Sequence, residues 1–129
     1  MSEIKGSGLD DAFLLPSRVL DWTSARARAL QTNLAHASQP GYRRVDVDFA
    51  ALAKAVRDEQ ERGRHGALER ARPSIEVDRE TAPGLSGNSV EFEREQVQID
   101  KNALLHELAT LMVSTKVNQL RAAIRGVAT

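Results

Sequence analysis

The sequence predicts a mainly helical fold, with long N- and C-terminal helices paired as a coiled-coil-like hairpin and a polar, irregular middle segment. Three observations carry this expectation. Apolar residues recur at helical spacing near both ends of the 129-residue chain, the middle is dense in charge, Gly and Pro, and bulky core material is scarce. Apolar residues make up 41% of the chain, but 18 residues are Ala, and the aromatics are Phe13, Trp22, Tyr42, Phe49 and Phe92. Helices approaching through Ala and Leu suit this inventory better than a sandwich or a doubly wound sheet. The length fits a single domain. It divides into an N-terminal helix over 9–38, a charged middle over 42–88 and a C-terminal helix over 90–126.

In the first zone Phe13, Leu20, Ala27 and Leu34 recur every seven residues, and Leu30 and Ala37 follow three residues after the last two. This is a helical stripe with partial heptad character. Pro16-Ser17 reads either as the helix entry or as a kink in a helix begun near Asp10. Ser38-Gln39-Pro40-Gly41 stops the helix, since Pro cannot continue it and Gly allows a sharp turn.

In the middle zone Asp46-Val47-Asp48-Phe49 alternates and suits locally extended structure, Phe49–Val56 suits a short helix and Ser74–Val77 a short strand. Fourteen of the 27 residues from Lys54 to Glu80 are charged. Gly63, Gly66, Pro73, Pro83, Gly84 and Gly87 interrupt any long element, and the zone is too polar to fold strongly alone. It is expected to lie towards the outside of an assembly or to be irregular, with Lys54–Glu80 more exposed than either terminal helix.

In the third zone Val97, Leu104 and Leu111 fall at seven-residue spacing, Leu108, Met112, Leu120 and Ile124 extend the apolar surface, and Gly126 supplies a stop. The two terminal stripes are expected to pack on each other, with Leu20, Leu30 and Leu34 against Leu104, Leu108 and Leu111. A two-helix hairpin leaves one side of each stripe wet, which points to further helices from neighbouring subunits.

Charge is balanced at 18 basic and 18 acidic residues, without the basic excess of a nucleic-acid binder or a polybasic membrane anchor. With no Cys, disulfide scaffolds and thiol catalysis are excluded. No apolar run approaches the roughly 20 residues of a membrane span, and the start lacks the pattern of a cleaved signal peptide. His36, His65 and His106 make no helical metal pair, so surface or capping roles are expected of them. Asp46 with Asp48, and Glu91 with Glu93 and Glu95, read as solvated carboxylates rather than acid–base pairs. There is no GxSxG, Walker A loop or GxGxxG, and Gly6-Ser7-Gly8 reads as a flexible terminus. Neither catalytic nor metal residues, and no cofactor, are expected.

One stretch is more specific. Asn33-Leu34-Ala35-His36-Ala37-Ser38-Gln39-Pro40-Gly41-Tyr42-Arg43 resembles the N-terminal signature of bacterial flagellar rod and hook proteins, departing from it at His36 and Gln39. Asp46-Val47-Asp48-Phe49 follows as in the proximal rod members. The tail is similar to their C-terminal helix, from Asn88-Ser89-Val90-Glu91 through Asn102-Ala103-Leu104 to Lys116 and Ala123-Ile124-Arg125-Gly126. The resemblance covers 9–49 and 88–126, and the short length suits proximal rod members, which lack large inserted domains.

The resemblance implies structural work rather than catalysis. It implies a subunit exported unfolded through the flagellar type III apparatus without a cleaved signal, and assembled into the hollow periplasmic rod. That rod carries torque from motor to hook and lines the export channel. The implied partners are copies of itself, other flagellar rod proteins and the membrane-ring and rod-base components, with no nucleic acid or small-molecule substrate. Asn33, Ala35, Pro40, Gly41 and Tyr42 are the implied turn residues. Phe13, Leu20, Leu30, Leu34, Leu104, Leu108, Leu111, Leu120 and Ile124 are the expected packing and assembly residues. The other readings are a neighbouring proximal rod protein of the same family and a non-flagellar helical-hairpin adaptor.

Overall fold

The computed structural model describes residues 8–63 and 65–128. Its frame is two long helices, α1 over Gly8–Ala35 and α4 over Phe92–Ala128, which run antiparallel and pack along each other. At the standard rise the 37 residues of α4 span about 55 Å. Between them lie β1 (Val45–Val47), α2 (Phe49–Gln60), α3 (Ala67–Arg70) and β2 (Ile75–Val77). The two strands form an antiparallel pair in the register Val45↔Val77, Asp46↔Glu76 and Val47↔Ile75. The terminal segment Ser2–Ser7 lies outside the described residues, and from Gly8 the chain is helical.

Of the two readings of Pro16, the structure takes the second: Pro16 sits buried inside a helix that begins at Gly8. At its other end α1 stops at Ala35, five residues before Pro40. The turn that follows is held by a side chain from far along the chain. Asn88 Nδ2 donates to the carbonyls of His36, Ala37 and Gln39 at 2.9, 3.1 and 2.7 Å. Buried turn carbonyls need partners, and Asn88 supplies them.

The Lys54–Glu80 segment is more exposed than α1 but, against expectation, not more than α4. The middle segment is charged on its surface, but it also builds much of the apolar core. Trp22 and Ala25 of α1 are buried with Val47 of β1, Leu52 and Ala55 of α2 and Leu68 of α3, with Leu14, Leu15 and Val19 packed around them. Most of the described charged residues of 54–80 are exposed, and a few apolar residues at helical spacing suffice to seat α2 and α3. Each residue of Asp46-Val47-Asp48-Phe49 has its own task. Asp46 accepts from Arg26, and Val47 enters the core. Asp48 Oδ1 caps α2 at Ala50 N, while the Asp48 carbonyl accepts from Trp22 Nε1 at 3.1 Å. Phe49 lies under the Arg26 guanidinium at 5.7 Å.

Candidate assembly site

Two features are candidates for function: a buried polar junction at the closed end of the hairpin, and the uncovered sides of α4. The junction begins with Asn33, whose side chain is fully buried. Its Nδ2 donates to the Val45 carbonyl and its Oδ1 accepts from Val45 N, both at 2.8 Å, so the amide pairs with the chain as a strand neighbour would. Tyr42 Oη donates to the same Oδ1 at 3.2 Å, and the Tyr42 ring stacks on His36 with centroids 4.7 Å apart. The hydroxyl therefore points inward. Burial and the nearby Glu95 carboxylate raise the Tyr42 phenol above its ordinary value.

Gly41 has φ = +76°, the left-handed conformation the turn reading requires. Its N–H donates to the Ser86 carbonyl at 3.0 Å, and Ser89 N donates to the Tyr42 carbonyl at 3.0 Å. Gly87 comes so close here that a Cβ on it would lie 3.3 Å from Gly41 Cα. The turn leaving α1 and the turn entering α4 are thus hydrogen-bonded to each other. Pro40 and Ala35 are exposed beside this junction.

Beneath the turns lies Arg44, which donates to Glu95 Oε1 at 2.6 Å, to Asp78 Oδ2 at 2.5 Å and to Asp46 Oδ2 at 3.2 Å. Arg26 joins Asp46 at 2.9 Å and Gln98 at 2.9 Å. Burial disfavours the Arg44 charge, but the hydrogen bonds to Glu95 and Asp78 outweigh it and raise its pKa. Burial likewise disfavours the Asp78 carboxylate, but hydrogen bonds from Thr81 and Arg44 hold its pKa well below the usual carboxylate range. This network corrects the solvated-carboxylate reading for Asp46 and Glu95, while Glu91, Glu93 and Asp48 are exposed. It ties β1, β2 and α4 to α1 through charge-assisted bonds, and its bidentate Arg44–Glu95 contact fixes the rotation of α4.

That rotation decides which face of α4 meets α1. Glu95, Asn102 and Ala109, at seven-residue spacing, are buried. Asn102 Nδ2 donates to the Thr23 carbonyl at 2.9 Å, and His106 Nδ1 hydrogen-bonds Thr23 Oγ1 at 2.7 Å. Leu120 is half-buried on the same face. Leu104, Leu108 and Leu111 are 67, 54 and 57% exposed on the far side, and Ile124 is 59% exposed where α4 runs past the start of α1. The two terminal helices do pack together, but not through these leucines. On α1, Leu30 is fully buried, while Phe13, Leu20 and Leu34 are half-buried.

Beside the α1–α4 seam runs a groove of about 710 Å³, lined by small residues such as Ser24, Ala27 and Ala103 together with Arg28 and Glu107. Asn102 lies 5% exposed in it, and its Oδ1 has no hydrogen-bond partner. Arg44 was not singled out in the sequence, and Asn88, Ser89 and Asn102 entered only as part of the stretches that carry the family resemblance, with no role assigned. The available signal was a set of polar residues at positions where an apolar stripe would otherwise run. Among the described residues no cluster of His, Asp or Glu is placed to hold a metal, and no helix is long and apolar enough to cross a membrane.

A helical hairpin with a rigid closed end and a long helix left apolar on its outer side has the design of a chain that packs against other helices. No family model matches the chain. Curated relatives do, and the most similar share the name flagellar basal body rod protein FlgB. The Cereibacter sphaeroides protein is 29% identical over 126 residues, covering 93% of this chain and 98% of its own. The Salmonella typhimurium protein is 28% identical over 132 residues, covering 92% and 96%, and the Escherichia coli protein is 27% identical, covering 84% and 89%. The resemblance to flagellar rod proteins is shown by these relatives, and within that family it is to FlgB.

Proposed function

We propose that the chain is a structural subunit of the flagellar basal-body rod, working by helix packing rather than by catalysis. The observation that carries this reading is the FlgB name shared by relatives that match nearly end to end, joined to an outer α4 face that the chain itself leaves uncovered. In this reading the chain passes through the flagellar type III export apparatus without a cleaved signal. It then joins copies of itself and other rod proteins in the periplasm, next to the membrane ring and rod base. The assembled rod carries torque from motor to hook, and its inner helices line the export channel. The polar junction suits such work, because a fixed angle between α1, the β-pair and α4 lets load pass through the subunit without bending its closed end.

The neighbouring proximal rod protein FlgC is the alternative within the family, and a free helical adaptor the alternative outside it. The test is deletion of the gene in its host, with basal bodies isolated and imaged. A rod subunit leaves membrane rings without complete rods and cells that do not swim, and an epitope-tagged chain restores both and is recovered in the basal-body fraction. Complete hooks in the deletion strain would overturn the proposal, and recovery of the tagged chain at the FlgC level of the rod would shift it to that neighbour.

A further inference from the structure

The outer ridge of α4 and the groove beside the α1–α4 seam are two distinct surfaces of one molecule that adjoin at Glu107. With 3.6 residues per turn, Leu104 and Leu111 fall opposite the buried Asn102 and Ala109. Val97 and Leu108 complete the ridge at 49 and 54% exposure. Four large apolar side chains in line on one exposed helix call for a cover. The groove is their converse, a concave strip lined by small residues such as Ser24, Ala27 and Ala103.

We infer that the ridge of one copy seats in the groove of the next, an inference that rests on the rod reading. Charge supports this choice of occupant. Exposed Arg94 and Lys101 line one edge of the ridge, and exposed Asp100 and Glu107 line the other, each pair at seven-residue spacing. The groove has a cationic wall at Arg28 and an anionic wall at Glu107. Laid in the groove, the basic edge of the ridge meets Glu107 and the acidic edge meets Arg28. Because ridge and groove are different surfaces, the contact is heterologous. It repeats from copy to copy instead of closing a two-fold pair, as growth of a shaft requires.

The chain has no Cys, so introduced cysteines report cleanly. Tagged A27C and L108C chains are co-expressed in the deletion strain, basal bodies are isolated and oxidised, and dimers are read on non-reducing gels. Ala103→Cys with Leu111→Cys is the second pair, and Ala53→Cys on the exposed side of α2, with Leu108→Cys, is the control. The expected result is a 27–108 or 103–111 dimer with no 53–108 dimer. Lys101→Glu or Glu107→Lys alone should lower the 27–108 yield by about fivefold, with recovery when the two are combined. Equal dimer in the control, a 108–108 dimer in place of 27–108, or no dimer although the chain is present in the basal bodies would overturn this contact and leave the rod reading standing. Absence of the unsubstituted tagged chain from basal bodies would instead remove the rod reading itself.

Discussion

Asn33 and Val45 are joined by two hydrogen bonds of 2.8 Å, one in each direction, so that a helix side chain serves as the strand partner of β1. The amide has no exposed surface, and it also meets Glu95 at 3.2 Å through Nδ2. Asn33→Asp keeps the shape but removes both donors and sets a charge beside Glu95. It should destabilise the fold by roughly 2–3 kcal/mol, the cost of buried polar groups left unpaired. Urea unfolding of the two proteins, compared at equal slope, measures this.

Gly41 has φ = +76° and nothing within 4 Å of where a Cβ would stand. The cost of a side chain there is therefore backbone strain alone. Gly41→Val should cost about 1–2 kcal/mol and Gly41→Asn clearly less, since Asn tolerates this region. Gly87→Val should cost more than Gly41→Val, because its Cβ would press on Gly41 Cα at 3.3 Å. The order of thermal midpoints among the three variants checks this, and swimming should fall in the same order.

The Asp78 carboxyl is held below its ordinary range by Thr81 and Arg44, against the opposing effect of burial. A depressed acid contributes stability that is present above its unfolded pKa of about 3.9 and lost as pH falls towards the folded value. Glu59 acts in the same direction, lowered mainly by the backbone N–H of Leu68. Stability should therefore hold from neutral pH to about 5 and then fall steadily in acid. Asp78→Asn should be less stable at neutral pH and show a shallower acid slope. Parallel slopes for the two proteins would contradict the assignment.

The C-terminal end of α4 separates folding from assembly. Residues 121–127 are exposed, whereas Val117 and Leu120 are half-buried. Deleting 121–129 should leave the thermal midpoint nearly unchanged, while deleting 117–129 should lower it as well. Both deletions should permit secretion but stop rod growth, giving rings without rods. Complete hooks from the shorter deletion would show the overhang to be dispensable.

The long helices were legible because Leu and Ala at helical spacing have few other readings, but their ends were less so: Gly126 does not stop α4, which runs on to Ala128, and α1 ends at Ala35, ahead of Pro40. The left-handed Gly41 was legible for the same kind of reason: Pro40-Gly41-Tyr42 limits the backbone more than it limits the surroundings. The rotation of α4 was not. Hydrophobic periodicity favoured the Leu104–Leu111 stripe as the inner face, yet the buried face carries Glu95, Asn102 and Ala109. That face is chosen by Arg44, Thr23 and Asn33, partners 51 to 79 residues away, and a pattern along one helix holds no record of them. The middle segment is irregular as expected, but its part in the core was missed for a related reason. Its charge density describes its surface, whereas its place in the fold depends on Leu52, Ala55 and Leu68 meeting Trp22.

The central claim is that the outer face of α4 serves assembly and not the fold of the single chain. Leu108→Asp tests it most directly, because Leu108 is 54% exposed and its replacement leaves no buried charge in the isolated chain. The measurement is paired: thermal unfolding of the purified variant, and recovery of the tagged variant in basal bodies from the deletion strain. The account predicts an unfolding midpoint like that of the parent, together with loss of the chain from basal bodies and loss of swimming. Normal swimming with the Leu108→Asp chain present in complete rods would contradict it.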